Sequence, residues 1–270
     1  MKLIVALVAV VAAVLAFLFL QDSAPDFDGT PKYTEASDFT GTPNFTGTWS
    51  DPPARAEDAF CHIGCLIEAR DHLTNLLNDP ALYDKTYREL RNQAQGYQIT
   101  QLLPGYMTPE ALARRMGNRD PRPVSAICEP WGLVRIALSP HALQITPYED
   151  HISLQYSEWT ALRHIYMDGR EFPENLESSK YGYSIGHYEG EELVIETRGV
   201  ISDNFGAGGF VHTDQANLIE RYSRVGEDRL EVEVVLTDPL TFTQPLVMAR
   251  AWAWAPGEEI FAYDNCVIPE

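Results

Sequence analysis

The chain has 270 residues, 45% hydrophobic and 22% charged, which is enough apolar material for one sizeable core and a smaller appendage. Its 39 acidic residues against 20 basic leave a net charge of -19. No basic face is available to neutralise phosphates, so nucleic acid and anionic lipid headgroups are poor partners, and the acidic excess reads as a solvated exterior.

Residues 1–20 carry an unbroken apolar run, Leu3 to Leu20, with Lys2 before it and Asp22, Asp26 and Asp28 after it. That asymmetry places the amino terminus in the cytoplasm and the remainder outside. The run is long for a signal-peptide core and lacks a small-x-small cleavage site, so it is expected to stay as a single inner-membrane helix; if cleaved, the fold is secreted. Residues 21–44, rich in Asp, Pro, Thr, Ser and Gly, form a linker ahead of a folded domain at 45–270. At its end Phe39-Thr40-Gly41-Thr42 is nearly repeated as Phe45-Thr46-Gly47-Thr48-Trp49. The second copy sets a Gly-x-Trp on a first strand, similar to the lipocalin pattern in which an indole plugs the barrel floor; a plain core tryptophan is the commoner explanation.

From about residue 55 to 116 the period becomes helical. One stripe holds Ile63, Leu66, Ile67, Leu73, Leu76 and Leu77, and a second holds Leu82, Tyr83, Tyr87, Leu90, Ala94 and Tyr97. Asp79-Pro80 and Thr108-Pro109 each set a capping side chain before a first-turn proline. This insert is expected to dock against a barrel or over its mouth. Four cysteines suit an oxidising compartment and a stapling role. Cys61 and Cys65 fall on one face of a predicted helix, too far apart for easy bonding; a Cys128–Cys266 bridge is one of three possible connectivities.

From Leu133 to Cys266 short segments of period two alternate with turn residues, which predicts an antiparallel β-barrel of ligand-holding size. A turn at Gly226-Glu227-Asp228 sets Leu218 opposite Leu236, Glu220 opposite Val234 and Tyr222 opposite Val232, sending Glu220 inward and Arg221 outward toward Glu233. An inward carboxylate among apolar groups is costly unless it is bonded or protonated, which makes Glu220 a functional candidate or the partner of an arginine such as Arg250. A loop at Trp159-Thr160-Ala161 would send Tyr156, Glu158 and His164 inward and Arg163 outward. Gly190 and its flanking glutamates form another hairpin turn, and Asp168-Gly169-Arg170 ends a strand. There is no HExxH or paired CxxC, and Gly206-Ala207-Gly208-Gly209 has no phosphate-loop lysine behind it. No cofactor and no metal are expected.

Thr108-Pro109-Glu110, Cys128-Glu129-Pro130-Trp131-Gly132, Arg163 to Arg170 with Pro173, Gly182 to Gly190 with Leu193 to Thr197, His212, Glu220-Arg221, Asp238-Pro239 and Cys266 together resemble a broad group of uncharacterised exported bacterial lipocalin-like proteins. The resemblance runs from Met107 to the end and departs at Tyr188, where members mostly carry tryptophan. It implies compartment and fold, adds weight to Glu158, Arg163, Asp168, Arg170, His212, Glu220 and Arg221, and implies no chemistry.

The expected activity is cofactor-independent acid–base chemistry on an apolar or aromatic small molecule, as a lyase, isomerase, hydratase or cyclase. Glu220, His212 and Glu158 would be catalytic, and Tyr156, His164, Tyr222, Arg250, Trp252 and Trp254 would line the ligand. The alternative is a non-catalytic carrier of a hydrophobic compound. Glycoside hydrolysis by two carboxylates ranks third, since it needs a set separation across an open cleft.

Overall fold

Alternation along the second half of the chain produces a closed barrel. The strands are β1 (Gly47–Ser50), β2 (Cys65–Leu66), β3 (Leu143–Pro147), β4 (His151–Tyr156), β5 (Leu162–Tyr166), β6 (Tyr183–Glu189), β7 (Glu192–Arg198), β8 (Asp203–Gly206), β9 (Phe210–His212), β10 (Asn217–Val225), β11 (Arg229–Thr237) and β12 (Leu246–Trp254). The computed structural model describes residues 44–50, 65–117, 130–139, 141–158, 161–206 and 209–260. Two units divide the chain, Met1–Asp38 and Phe39–Glu270, and the first lies wholly outside the described residues. The apolar run at 3–20, most of the linker, and Cys61, Cys128 and Cys266 also lie outside them, so the anchor and the Cys128–Cys266 bridge do too. Among the described residues no helix is long and apolar enough to cross a membrane.

Nine strands follow the order β1-β3-β4-β5-β6-β7-β10-β11-β12, and the ring closes where β12 meets β1 at Trp49↔Trp254 and Ser50↔Ala253. Closure removes the unpaired edges that an open sheet would expose. The short β2 also joins β12, pairing Cys65 with Ala249 and Leu66 with Met248. Cys65 therefore opens as strand rather than helix, because the stretch of β12 that β1 does not reach offers its backbone a ladder; it is disulfide-bonded.

The barrel is mixed, not purely antiparallel as expected. β5 and β6 run parallel, pairing at Ile165↔Ser184 and Tyr166↔Ile185. A parallel neighbour requires a long crossover, and residues 167–182 provide it where a hairpin at Asp168-Gly169-Arg170 would have reversed the chain. The side chain of Arg170 instead folds back onto Asp168, with Nε donating to Oδ1 at 2.8 Å.

The β10–β11 hairpin takes the predicted register, with Leu218↔Leu236, Glu220↔Val234, Arg221↔Glu233 and Tyr222↔Val232. Arg221 nevertheless turns from Glu233 to Glu189 at 2.8 Å and Glu192 at 3.0 Å, beside the β6–β7 turn. The β4–β5 hairpin departs from expectation by an odd number of residues. Tyr156 N donates to Ala161 O at 2.9 Å, and Ser153 faces His164 while Leu154 faces Arg163. An odd slip exchanges the two faces of a strand, so His164 is exposed and Arg163 is buried, the reverse of the prediction.

Helices α1 (Ile67–Leu77), α2 (Tyr87–Tyr97), α3 (Leu103–Tyr106) and α4 (Pro109–Gly117) form the insert, and α5 (Leu133–Ile136) precedes β3. The two predicted stripes meet each other: Leu73 and Leu76 of α1 pack with Leu90 and Ala94 of α2 in a small core of their own. Thr86 and Glu89 close a reciprocal capping box on α2. The Thr108 hydroxyl caps α4 through the Ala111 N–H at 3.2 Å, while the Thr108 N–H donates to Thr241 O at 2.9 Å and fastens α4 to the turn after β11.

At the β1–β12 seam Trp49 is fully buried, its Nε1 donates to Phe45 O at 3.0 Å, and its ring meets that of Trp254 edge-on at 5.0 Å. Arg224 lies over Trp49 at 5.3 Å and ties down Asn44 O at 2.7 Å. Gly47 has φ 129, and a Cβ there would fall within the Trp254 ring. Gly47→Ala is expected to cost on the order of 1–3 kcal/mol through combined strain and clash, read as a lowered urea midpoint.

Candidate functional site

Two polar clusters occupy different parts of the barrel. The first crosses its centre. Arg163 of β5 donates to both oxygens of Glu220 on β10, at 3.0 Å from Nη1 to Oε1 and 2.6 Å from Nη2 to Oε2. Nη1 also reaches the Tyr156 hydroxyl at 3.2 Å, and Nη2 reaches Ser184 at 3.3 Å and Thr197 at 3.2 Å. Tyr222 donates to Glu220 Oε1 at 3.1 Å. Burial opposes the guanidinium charge, but the adjacent Glu220 carboxylate outweighs it and raises the Arg163 pKa. Burial, with the charge of Glu220 added, raises both phenols, so Tyr156 and Tyr222 stay protonated.

Glu220, Tyr156, Tyr222 and Trp252 are each 0% exposed. No water-sized sphere touches them, so side chains fill the tube at their level. The sequence sent Glu220 inward and named Arg250 as an arginine that could meet it. Its observed partner is Arg163, which the sequence register had turned outward. Arg250 is also buried, with its guanidinium 5.3 Å from the Trp252 ring.

The second cluster surrounds α5. Glu158, in the β4–β5 loop, is buried and holds two partners on Oε1: Ser139 Oγ at 3.2 Å and His141 Nε2 at 2.8 Å. The backbone N–H of His141 donates to Ser139 Oγ at 3.1 Å, and this bond keeps both side chains at one carboxylate. Trp252 Nε1 donates to His141 O at 3.2 Å and fixes the His141 backbone to the barrel interior. The imidazole is 44% exposed, and its Nδ1 has no hydrogen-bond partner among the described residues.

Charge is dense around this pair. Arg135 stacks on Trp131 at 3.7 Å, and the Trp131 ring meets His141 edge-on at 5.9 Å. Asp203 of β8 sits 3.9 Å from Lys180 Nζ, which also donates to Pro130 O at 2.7 Å. Gly132 makes this approach possible, since a Cβ there would run into the Asp203 carboxylate. Burial lowers the Arg135 pKa, while Glu158 and Asp203 act to raise it. Burial, then the charges of Asp203 and Glu158, push the Tyr181 phenol up to about 12, leaving it a proton donor across the neutral range.

The remaining expected site residues scatter. His212 is buried on β9, in a two-stranded sheet with β8 separate from the barrel, and its Nδ1 lies 3.0 Å from Thr213 O. Glu158, His212 and Glu220 thus hold different partners. Exposed His164 lies beside His151, ring centroids 4.9 Å apart and tilted, on the outer wall. Trp254 is half-buried against Trp49. Sequence reasoning missed His141, Ser139, Arg135 and Asp203, which sit outside any recognisable spacing; Trp131-Gly132 in the quoted resemblance was the available signal. Among the described residues no group of three or more His, Cys, Asp or Glu is arranged to hold a metal. No protein-family model and no curated protein matches this chain.

Removing one member of a buried ion pair strands the other charge. Arg163→Met and Glu220→Gln are each expected to destabilise the fold by about 3–5 kcal/mol, with the Arg163→Met/Glu220→Met double variant recovering much of the loss, read from denaturant midpoints.

Proposed function

We propose that the protein is a cofactor-independent acid–base catalyst acting on an apolar or aromatic small molecule, with its chemistry at His141 and Glu158. The observation that carries this reading is the 2.8 Å contact between a buried carboxylate and a half-exposed imidazole. With the imidazole proton on Nε2, the nitrogen beside the Glu158 carboxylate, Nδ1 presents its lone pair to solvent and substrate. Glu158 then acts as a positioning residue, holding the ring and stabilising the imidazolium that forms when Nδ1 takes a proton. Trp131 and the Arg135 guanidinium stacked on it supply a flat wall beside the base. Tyr181 supplies a neutral donor in the same neighbourhood for charge that develops on substrate oxygen. Glu220, bonded to Arg163 and Tyr222, maintains the fold in this reading and takes no part in proton transfer.

The second reading, a non-catalytic carrier of a hydrophobic ligand, has one observation in its favour: a cavity of 570 Å³ is not lined by His141 or Glu158. Both readings keep the lipocalin-like resemblance and the placement of the folded unit in the periplasm, tethered through residues 3–20.

Proton NMR in D2O over a panel of enolisable aromatic ketones and acids separates the two. The catalyst should exchange protons alpha to the carbonyl, with the rate falling about 10²–10⁴-fold in His141→Asn and in Glu158→Gln. Exchange that persists in His141→Asn, or a stoichiometric unmodified ligand recovered from the purified protein with no exchange, rejects the catalytic reading. For the location, protease added to spheroplasts should digest the folded unit while it remains in the membrane fraction; protection from protease would contradict it.

A further inference from the structure

A cleft of 570 Å³ lies between α4 and the β8–β9 ribbon, within the size range of small-molecule sites. Its apolar lining includes Met107 and Ala111 on one side and Ile201 and Val211 on the other, and Ile201 is 40% exposed. The walls are preformed: the Thr108 cap and its backbone bond to Thr241 hold α4, while Ser202 Oγ donates to His212 O at 2.7 Å and holds the segment ahead of β8.

Arg114, in the last turn of α4, also lines this cleft. Its Nη2 donates to the carbonyl of Leu240 at 3.2 Å, and no carboxylate among the described residues pairs with it. Arg114 is exposed, so an incoming anion can reach it. Two of the guanidinium's nitrogens remain to bind an anion, and they stand beside an apolar wall. Arg115 lines the cleft too, with its guanidinium over the Phe210 ring at 4.1 Å and Nη2 donating to Ile99 O at 3.3 Å; Asp214 offsets one of the two cations, so the lining favours a single negative charge on an occupant. We propose that this cleft binds an amphipathic monocarboxylate, with the carboxylate on Arg114 and an alkyl or aryl body against Met107, Ala111, Ile201 and Val211. The inference does not depend on the His141–Glu158 reading, since the cleft residues take no part in that pair.

Decanoate, decanol and decyltrimethylammonium, each below its micelle-forming concentration, serve as probes in isothermal titration calorimetry. The proposal expects decanoate to bind at least about tenfold more tightly than either of the others, a charge-assisted contact accounting for the difference. Arg114→Gln should lower decanoate affinity about tenfold and leave decanol unchanged, with the melting temperature unaltered. Ala111→Trp, which fills the cleft, should abolish decanoate binding, and the Met107 methyl resonance should move on titration in the parent protein only. Equal affinity for the three probes, undiminished decanoate binding in Arg114→Gln, or no binding of decanoate at millimolar concentration would overturn it. So would an Ala111→Trp variant that binds decanoate as the parent does.

Discussion

The barrel depends on the bidentate contact between Arg163 and Glu220. The two residues stand on β5 and β10, strands separated in the ring by β6 and β7. The same guanidinium bonds Ser184 on β6 and Thr197 on β7, and Tyr156 joins from β4. One side chain therefore ties together five strands. They include both members of the parallel β5–β6 seam, which pairs at two positions only. Parallel pairing is the weaker kind of ladder, and a short one adds little by itself. The buried network supplies across the lumen what the backbone does not supply along this seam.

That solution constrains chemistry as well as stability. A carboxylate with both oxygens held by a guanidinium, in a tube filled by Tyr156, Tyr222 and Trp252, has no approach for a reacting molecule. The carboxylate–imidazole pair with solvent access lies instead around α5, where Glu158 is buried and His141 is half-exposed. Trp252 links the two regions, since its ring stacks near Tyr222 at 6.5 Å in the lumen and its Nε1 holds the His141 carbonyl. The rigid interior thus positions the exposed histidine through a single hydrogen bond.

The cleft beside α4 adjoins this region along the chain. Ile201 and Ser202 line it, while the next residue, Asp203, reaches toward Lys180. The same short segment thus furnishes walls to two differently built surfaces. One is crowded with opposed charges and aromatic rings, and the other sets an apolar wall beside two arginines, of which Arg114 pairs with no carboxylate among the described residues.

Much of the architecture was legible in the chain because it rests on local pattern. Alternation and the Gly226 and Gly190 turns set the β10–β11 and β6–β7 hairpins, and apolar stripes marked α1 and α2, since period and turn chemistry involve residues close in sequence; that the stripes would pack on each other rather than on the barrel was not legible. Inward Glu220 followed from the same local register. Tertiary structure alone decided which arginine would meet it, because the β4–β5 loop length selects the face of Arg163 and His164, and only the distant Glu220 makes the buried guanidinium tolerable. Likewise, nothing near His141 in sequence announces Glu158. Seventeen positions separate them, and the closing of the β3–β4–β5 meander brings the imidazole to the carboxylate.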